Sequence, residues 1–371
     1  MPKTASAREK TSTDLSLKAI DHIELWVGNA KQAAYYYVHA FGYDLIAYSG
    51  LETGVRDRAS YVLSQGKIRL VLSTPLAPEH PMTEHIARHG DGVKRIAIEV
   101  DHAAEAYRLA TERGAVGVEP PSELEDEHGT YRSASIATYG DTLHTFVQRK
   151  DYHGLFAPGY QPRTMKGGGV GLAAVDHIVG NVELGKMDVW VDYYKRILGF
   201  SQLVHFDDKD ISTEYSALMS KVVHDGKGRI KFPLNEPAEG RRKSQIDEYL
   251  EYYRGAGVQH IALLTGDILK TVRKLRERGV EFLRVPSTYY EEVPRRVGPI
   301  AESLQSLEEL GILVDRDDEG YLLQIFTRPV QDRPTVFFEI IQRKGCQGFG
   351  KGNFKALFEA IEREQALRGN L

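Results

Sequence analysis

Three residues in this chain, His177, His260 and Glu339, have side chains that together could grip a metal ion while leaving part of its coordination shell open. Two imidazoles and one carboxylate, with no thiolate, are the ligand set of a non-haem Fe(II) facial triad. That set occupies one face of an octahedron and leaves the opposite face for O2 and a chelating substrate. The stretches between the three are far too long for a local motif. A lone strand histidine is commonly a satisfied core residue, and a lone strand glutamate is commonly salt-bridged. A repeat is what sets these three apart.

Ala19-Ile20-Asp21-His22-Ile23 matches Ala174-Val175-Asp176-His177-Ile178, and Val93-Lys94-Arg95-Ile96-Ala97 matches Val258-Gln259-His260-Ile261-Ala262. Thr145-Phe146-Val147-Gln148-Arg149-Lys150 matches Glu339-Ile340-Ile341-Gln342-Arg343-Lys344, and Glu112-Arg113-Gly114 recurs as Glu277-Arg278-Gly279. The order is kept and the spacing grows, as expected of a duplicated half whose second copy gained loop insertions. At the matched positions the first copy carries His22, Arg95 and Thr145, and the second carries His177, His260 and Glu339. Arginine is a permanent cation with no lone pair to offer a metal. One half is therefore expected to bind metal and the other to be scaffold.

The elements around these positions read as strand, helix, strands. Ile23, Leu25 and Val27 alternate as a half-buried strand. Residues 102–113 and 267–278 read as helices, stopped by Gly114 and Gly279, the second capped by Asp267. Leu322, Gln324 and Phe326 share one strand face, and Thr335, Phe337, Glu339 and Ile341 share a face of the next, across a proline-containing turn. From Asn353 onward, Phe354, Leu357, Phe358 and Ile361 give an amphipathic helix. The map is a polar tail over 1–18, a first half over 19–152, a linker over 153–171 that includes the glycine-rich Lys166–Gly171, and a second half over 172–371.

Composition excludes several other classes. The 371 residues carry 48 basic against 52 acidic side chains, net −4, without the basic excess of a nucleic-acid binder. One cysteine, Cys346, allows neither an intrachain disulfide nor a cysteine metal cluster, and fits a reducing cytosol. Nothing approaches about 18 consecutive apolar residues, so no membrane span is expected. The first residues lack the apolar core of a signal peptide, and a soluble cytoplasmic protein is expected. Two rival metal readings exist. His205-Phe206-Asp207 has the H-x-D spacing of cupin-type oxygenases, with His260 downstream, but lies outside the matched positions. His85 and His89 stand four apart as helical zinc ligands can, yet Glu84 precedes the first histidine where a metalloprotease motif needs it just after, so a surface helix is expected. Gly348–Asn353 fails as a dinucleotide loop, and no G-x-S-x-G elbow is present.

The chain closely resembles the 4-hydroxyphenylpyruvate dioxygenase family. The resemblance runs through Pro233-Leu234-Asn235-Glu236-Pro237, Lys243-Ser244-Gln245-Ile246, Gly255–His260, Leu323–Thr327, Phe337–Arg343 and Gly348–Phe354. It implies an α+β vicinal-oxygen-chelate fold (glyoxalase/extradiol-dioxygenase-like), with duplicated βαβββ modules forming two open barrels and a C-terminal helix that gates the pocket. It places Fe(II) on His177, His260 and Glu339. It places the catalytic pocket on Ser216, Asn235, Gln245, Gln259, Gln324 and Phe337, with substrate also held by Phe326, Phe349, Asn353 and Phe354. The implied reaction converts 4-hydroxyphenylpyruvate and O2 to homogentisate and CO2 in tyrosine catabolism, in a homodimer or homotetramer. A related alternative is 4-hydroxymandelate synthase, which hydroxylates the benzylic carbon; a metal-free ligand-sequestering protein is a third. Phe337 favours ring attack by this resemblance. Gln259 adjoins His260 and by simple alternation faces away from it, so its place in the pocket requires a twist or bulge in that strand.

Overall fold

The computed structural model describes residues 14–206, 217–238 and 243–370, and it divides its strands between two sheets. The first runs Gln161–Met165, Asp44–Ser49, Arg58–Gln65, Ile68–Pro75, Leu17–Trp26, Gly92–Val100, Leu143–Gln148, Gly129–Ala137, Gly117–Asp126. The second runs Ser201–Phe206, Ala217–His224, Lys231–Ala238, Leu172–Asn181, Gly257–Thr265, Phe337–Lys344, Tyr321–Phe326, Leu313–Arg316. Apart from the extra edge strand Gln161–Met165, the two orders correspond strand for strand. Each is two βαβββ units, with helices Ala30–His39 and Ala103–Glu112 in the first and Met187–Tyr193 and Ile268–Glu277 in the second. Two further helices, Thr288–Val297 and Leu304–Leu310, interrupt the last unit. They lie where the repeat offset makes its largest step, between Gly279 and Glu339.

Register carries the correspondence to single residues. His22 pairs with Ala97 and Ala97 with Thr145, while His177 pairs with Ala262 and Ala262 with Glu339. A strand that slipped by one residue would turn every one of these side chains to the opposite face. Both faces of Phe337–Gln342 are buried, as in a central strand covered on both sides. The expected helix ends hold: Gly114 and Gly279 adopt the left-handed conformation that stops each helix, and Asp267 accepts from the Lys270 amide.

Two boundaries differ from expectation. Residues 1–13 lie outside the described residues, but Leu15 and Leu17 are buried and the first strand opens at Leu17, so the polar stretch 1–18 already enters the fold. The stretch expected as a linker supplies the strand Gln161–Met165, which pairs with Asp44–Ser49 and shields that edge.

One apolar cluster crosses both halves. Tyr37 and Phe41 pack edge-on or tilted on Phe338, at 5.8 and 5.1 Å between ring centres. His144 stacks on Phe232 at 5.3 Å and pairs through Nε2 with the Tyr194 hydroxyl at 2.8 Å. Burial keeps this imidazole neutral, lowering its pKa from 6.5 to about 4. The unfolded chain therefore takes up a proton in that interval which the fold refuses. Stability is complete above the unfolded value and is lost as pH falls through about 4. Melting temperature should drop across this window more steeply for the natural chain than for His144→Gln; parallel curves would contradict the assignment.

Candidate metal centre

The three donors come from adjacent strands, His177 from Leu172–Asn181, His260 from Gly257–Thr265 and Glu339 from Phe337–Lys344. Their ligand atoms lie within 4.8 Å of one another and all three residues are buried. Glu339 Oε2 stands 3.1 Å from His177 Nε2 and 3.4 Å from His260 Nε2. Each imidazole has its other nitrogen engaged: His177 Nδ1 donates to Asp176 Oδ1 at 2.8 Å and His260 Nδ1 to Gln259 Oε1 at 2.9 Å. With the protons on Nδ1, two Nε2 lone pairs face a carboxylate. Lone pairs aimed together in a buried site call for a cation, and this donor set fits a divalent metal ion.

Behind His177 stands a buried clamp. Arg343 grips both oxygens of Asp176, each at 2.8 Å, and Lys231 approaches at 3.4 Å. Burial alone would raise the Asp176 pKa, but the Arg343 and His177 hydrogen bonds hold it well below the usual carboxylate range. Burial opposes ionisation of Glu339 too, and the two imidazoles outweigh it, pulling its pKa down to about 2. For His177 the Glu339 and Asp176 carboxylates overcome burial and raise the pKa, whereas burial prevails at His260 and lowers it.

The first half keeps the clamp and its histidine, His22, and loses the other two donors. Arg149 grips Asp21, which accepts from His22 Nδ1 at 2.5 Å. At the matched centre, Arg95 is tied to Glu24 at 2.9 Å, Thr145 at 2.6 Å and Ser135 at 2.7 Å, with two bonds to Glu119. A fixed guanidinium fills the place a metal would take.

A small cavity opens beside the three donors. Asn235, Gln245, Gln259, Phe326, Phe337, Phe349 and Phe354 are among the residues that line it. Gln259 reaches it because it is the extra residue of a bulge: Val179 pairs with His260 and Gly180 with Val258, leaving Gln259 unopposed. Phe337 stacks on His260 at 4.9 Å and Phe349 meets His177 edge-on at 5.1 Å. Gln324 and Asn353 are buried but do not line the cavity. The Gln324 side chain lies against Gly350, and Asn353 Oδ1 accepts from the Tyr289 hydroxyl at 2.6 Å, at the start of the final helix. Ser216 lies outside the described residues, as does Asp207 of the H-x-D reading. Leu218, Ser220 and Val222 also line the wall. Their spacing of two along one strand is the signal that could have disclosed them. The wall draws on six strands of the second sheet, so that sheet curls around the cavity. Leu357 and Phe358 of the final helix Phe354–Leu367 cover it. That helix is tied down by Arg368 on Glu248 at 2.7 Å and by Glu364 on Arg328 at 2.9 Å.

His85 and His89 do form one turn of a helix, Pro81–His89, but both are buried, against the expectation of a surface helix. Tyr253 of the second half stacks on His89 at 4.4 Å between ring centres.

Two models of the glyoxalase/bleomycin resistance protein/dioxygenase superfamily match the chain, over residues 21–131 and 174–325. The chain is 48% identical over 389 residues to 4-hydroxyphenylpyruvate dioxygenase of Aspergillus fumigatus, covering 98% of this chain and 96% of that one. It is 49% identical over 367 residues to the protein of the same name from Dictyostelium discoideum, covering 96% and 100%. Among solved structures, a triple mutant of 4-hydroxymandelate synthase from Streptomyces coelicolor superposes with a TM-score of 0.85 at 34% identity, covering 94% of this chain and 99% of that one.

Proposed function

The chain belongs to the 4-hydroxyphenylpyruvate dioxygenase family, and on that premise we propose that it converts 4-hydroxyphenylpyruvate and O2 to homogentisate and CO2, with Fe(II) held by His177, His260 and Glu339. One observation carries this reading. Three buried donors converge in a cavity whose other walls are aromatic and aliphatic side chains, uncharged amides and one serine, with no Lys or Arg among its described lining residues. A 2-oxo acid is an anion. In such a cavity it finds positive charge only at a metal ion held by these donors.

When bound, ferrous iron supplies the redox chemistry: chelation of the 2-oxo carboxylate, a position for O2, and use of the two electrons released by decarboxylation to cleave the O–O bond. The chain supplies placement and dryness. Asn235, Gln245 and Gln259 offer hydrogen bonds to the polar ends of the substrate without adding charge. Phe326 and Phe337, 6.2 Å apart and near perpendicular, hold the ring from its side, with Phe349 and Phe354 completing the enclosure. The final helix excludes water and opens to admit substrate. Asp176, through Arg343, keeps the His177 Nε2 lone pair directed inward. We assign Gln324 and Asn353 to support of the loop around Gly350. The first half is the non-catalytic domain, the assembly a homodimer or homotetramer, and the compartment the cytoplasm. Among the described residues, no helix is long and apolar enough to cross a membrane.

Product analysis tests the reading. Iron-loaded protein given 4-hydroxyphenylpyruvate should consume one O2 and release one CO2 per homogentisate formed. 4-Hydroxymandelate as the main product would transfer the chain to the benzylic branch, and no substrate-dependent O2 uptake would defeat both. Phe337 presses on His260 and bounds the ring, so Phe337→Val should divert a measurable part of the product to 4-hydroxymandelate. An unchanged product ratio would remove Phe337 from the choice of carbon.

A further inference from the structure

We propose that His85, His89 and Asp141 form a second divalent-cation site, of the kind zinc takes, at the junction of the two halves. His85 and His89 lie one helical turn apart, their ring centres separated by 4.4 Å, and are 7% and 2% exposed. His89 Nδ1 lies 2.5 Å from the Tyr253 carbonyl oxygen, which can only accept, so that nitrogen carries the proton. The opposite nitrogen, Nε2, points at Asp141 Oδ2 at 2.8 Å. His85 Nε2 is buried and meets no hydrogen-bond partner among the described residues. One ligand atom from each of the three residues lies within 4.8 Å of the other two. Zinc bound there would draw the three toward a shared point. A cation there would give the His85 nitrogen its partner.

Asp141 is 45% exposed, which leaves a side open for water as the fourth ligand. Two basic side chains bear on the site. Lys94 Nζ donates to the Asp141 carbonyl and lies 4.9 Å over the Trp26 ring, and Arg88, 61% exposed, approaches Asp141 Oδ2 at 3.5 Å. They lower affinity for any cation, and they weigh most against calcium and magnesium, which lack strong bonds to imidazole. The preference is for a borderline ion that takes nitrogen ligands. Tyr253 ends the helix Gln245–Tyr253, which carries Gln245 of the main cavity, so a metal that fixes the His89 ring would also fix its hydrogen bond to the end of that helix.

Calorimetric titration with zinc tests this apart from the main centre. In Glu339→Gln, whose main centre lacks its carboxylate, zinc should still bind at one site per chain and raise the melting temperature. Asp141→Asn, which keeps the side chain's size, and His85→Gln, each added to that background, should weaken this binding at least about 10-fold. Absence of the zinc site in Glu339→Gln, or binding unchanged by both added substitutions, would overturn the proposal.

Discussion

Glu339→Gln is expected to leave the protein folded and unable to retain iron, with homogentisate formation lost. The substitution keeps the side chain's size and removes its charge. That charge faces both imidazole Nε2 atoms, at 3.1 and 3.4 Å, and the pull of the imidazoles holds the Glu339 pKa at about 2. At neutral pH the carboxylate is ionised and is the one anionic donor of the set. Loss of an outer-shell partner alone typically costs about 10–100-fold in metal affinity, and loss of a direct ligand should exceed that. His177→Ala should behave the same way. His205→Ala should bind iron as the natural chain does, because His205 sits on the edge strand Ser201–Phe206, away from the three donor strands. Equilibrium dialysis followed by iron assay separates the outcomes. Iron retained by His177→Ala and lost by His205→Ala would restore the H-x-D reading.

The second large effect concerns stability as well as iron. Arg343→Met removes both bonds to the buried Asp176 carboxylate and those to the carbonyls of Cys346, at 3.2 Å, and Gly348, at 2.6 Å. Breaking a buried pair while leaving the other charge in place costs about 3–5 kcal/mol. Lys231, 3.4 Å from Asp176, can recover only part of this. The same change frees the turn that carries Phe349, over whose ring the guanidinium lies at 5.4 Å, and loosens His177 by releasing Asp176. Denaturant unfolding of the variant should show a loss of that size, and Fe(II) affinity should fall about 10–100-fold. A loss below about 1 kcal/mol with unchanged affinity would mean that the clamp neither stabilises the fold nor aims His177.

The residues that made the repeat visible are the ones this clamp uses. Asp21-His22 and Asp176-His177 recur with Gln148-Arg149-Lys150 and Gln342-Arg343-Lys344 because each arginine grips the aspartate that aims a histidine. Matching short strings therefore located the donors, although sequence separation hid their contact. The bulge at Gln259 was also legible, as a conflict between strand alternation and a wall position. What escaped depended on partners distant in sequence. Gln161–Met165 has no apolar alternation and becomes a strand only because an open sheet edge lies beside it. His85 and His89 looked solvated because nothing nearby in sequence announces Tyr253, which covers His89 from the other half. The inserted helices Thr288–Val297 and Leu304–Leu310 sit in the loop growth that the repeat spacing had implied without shape.

The most direct test of a ferrous centre on His177, His260 and Glu339 is anaerobic titration of metal-free protein with Fe(II) and then with 4-hydroxyphenylpyruvate, followed by visible absorbance. The predicted result is a charge-transfer band that needs both additions, saturates at one iron per second-half centre, and is missing in Glu339→Gln. A band of undiminished intensity in Glu339→Gln, or none in the natural chain despite tight iron binding, would contradict it.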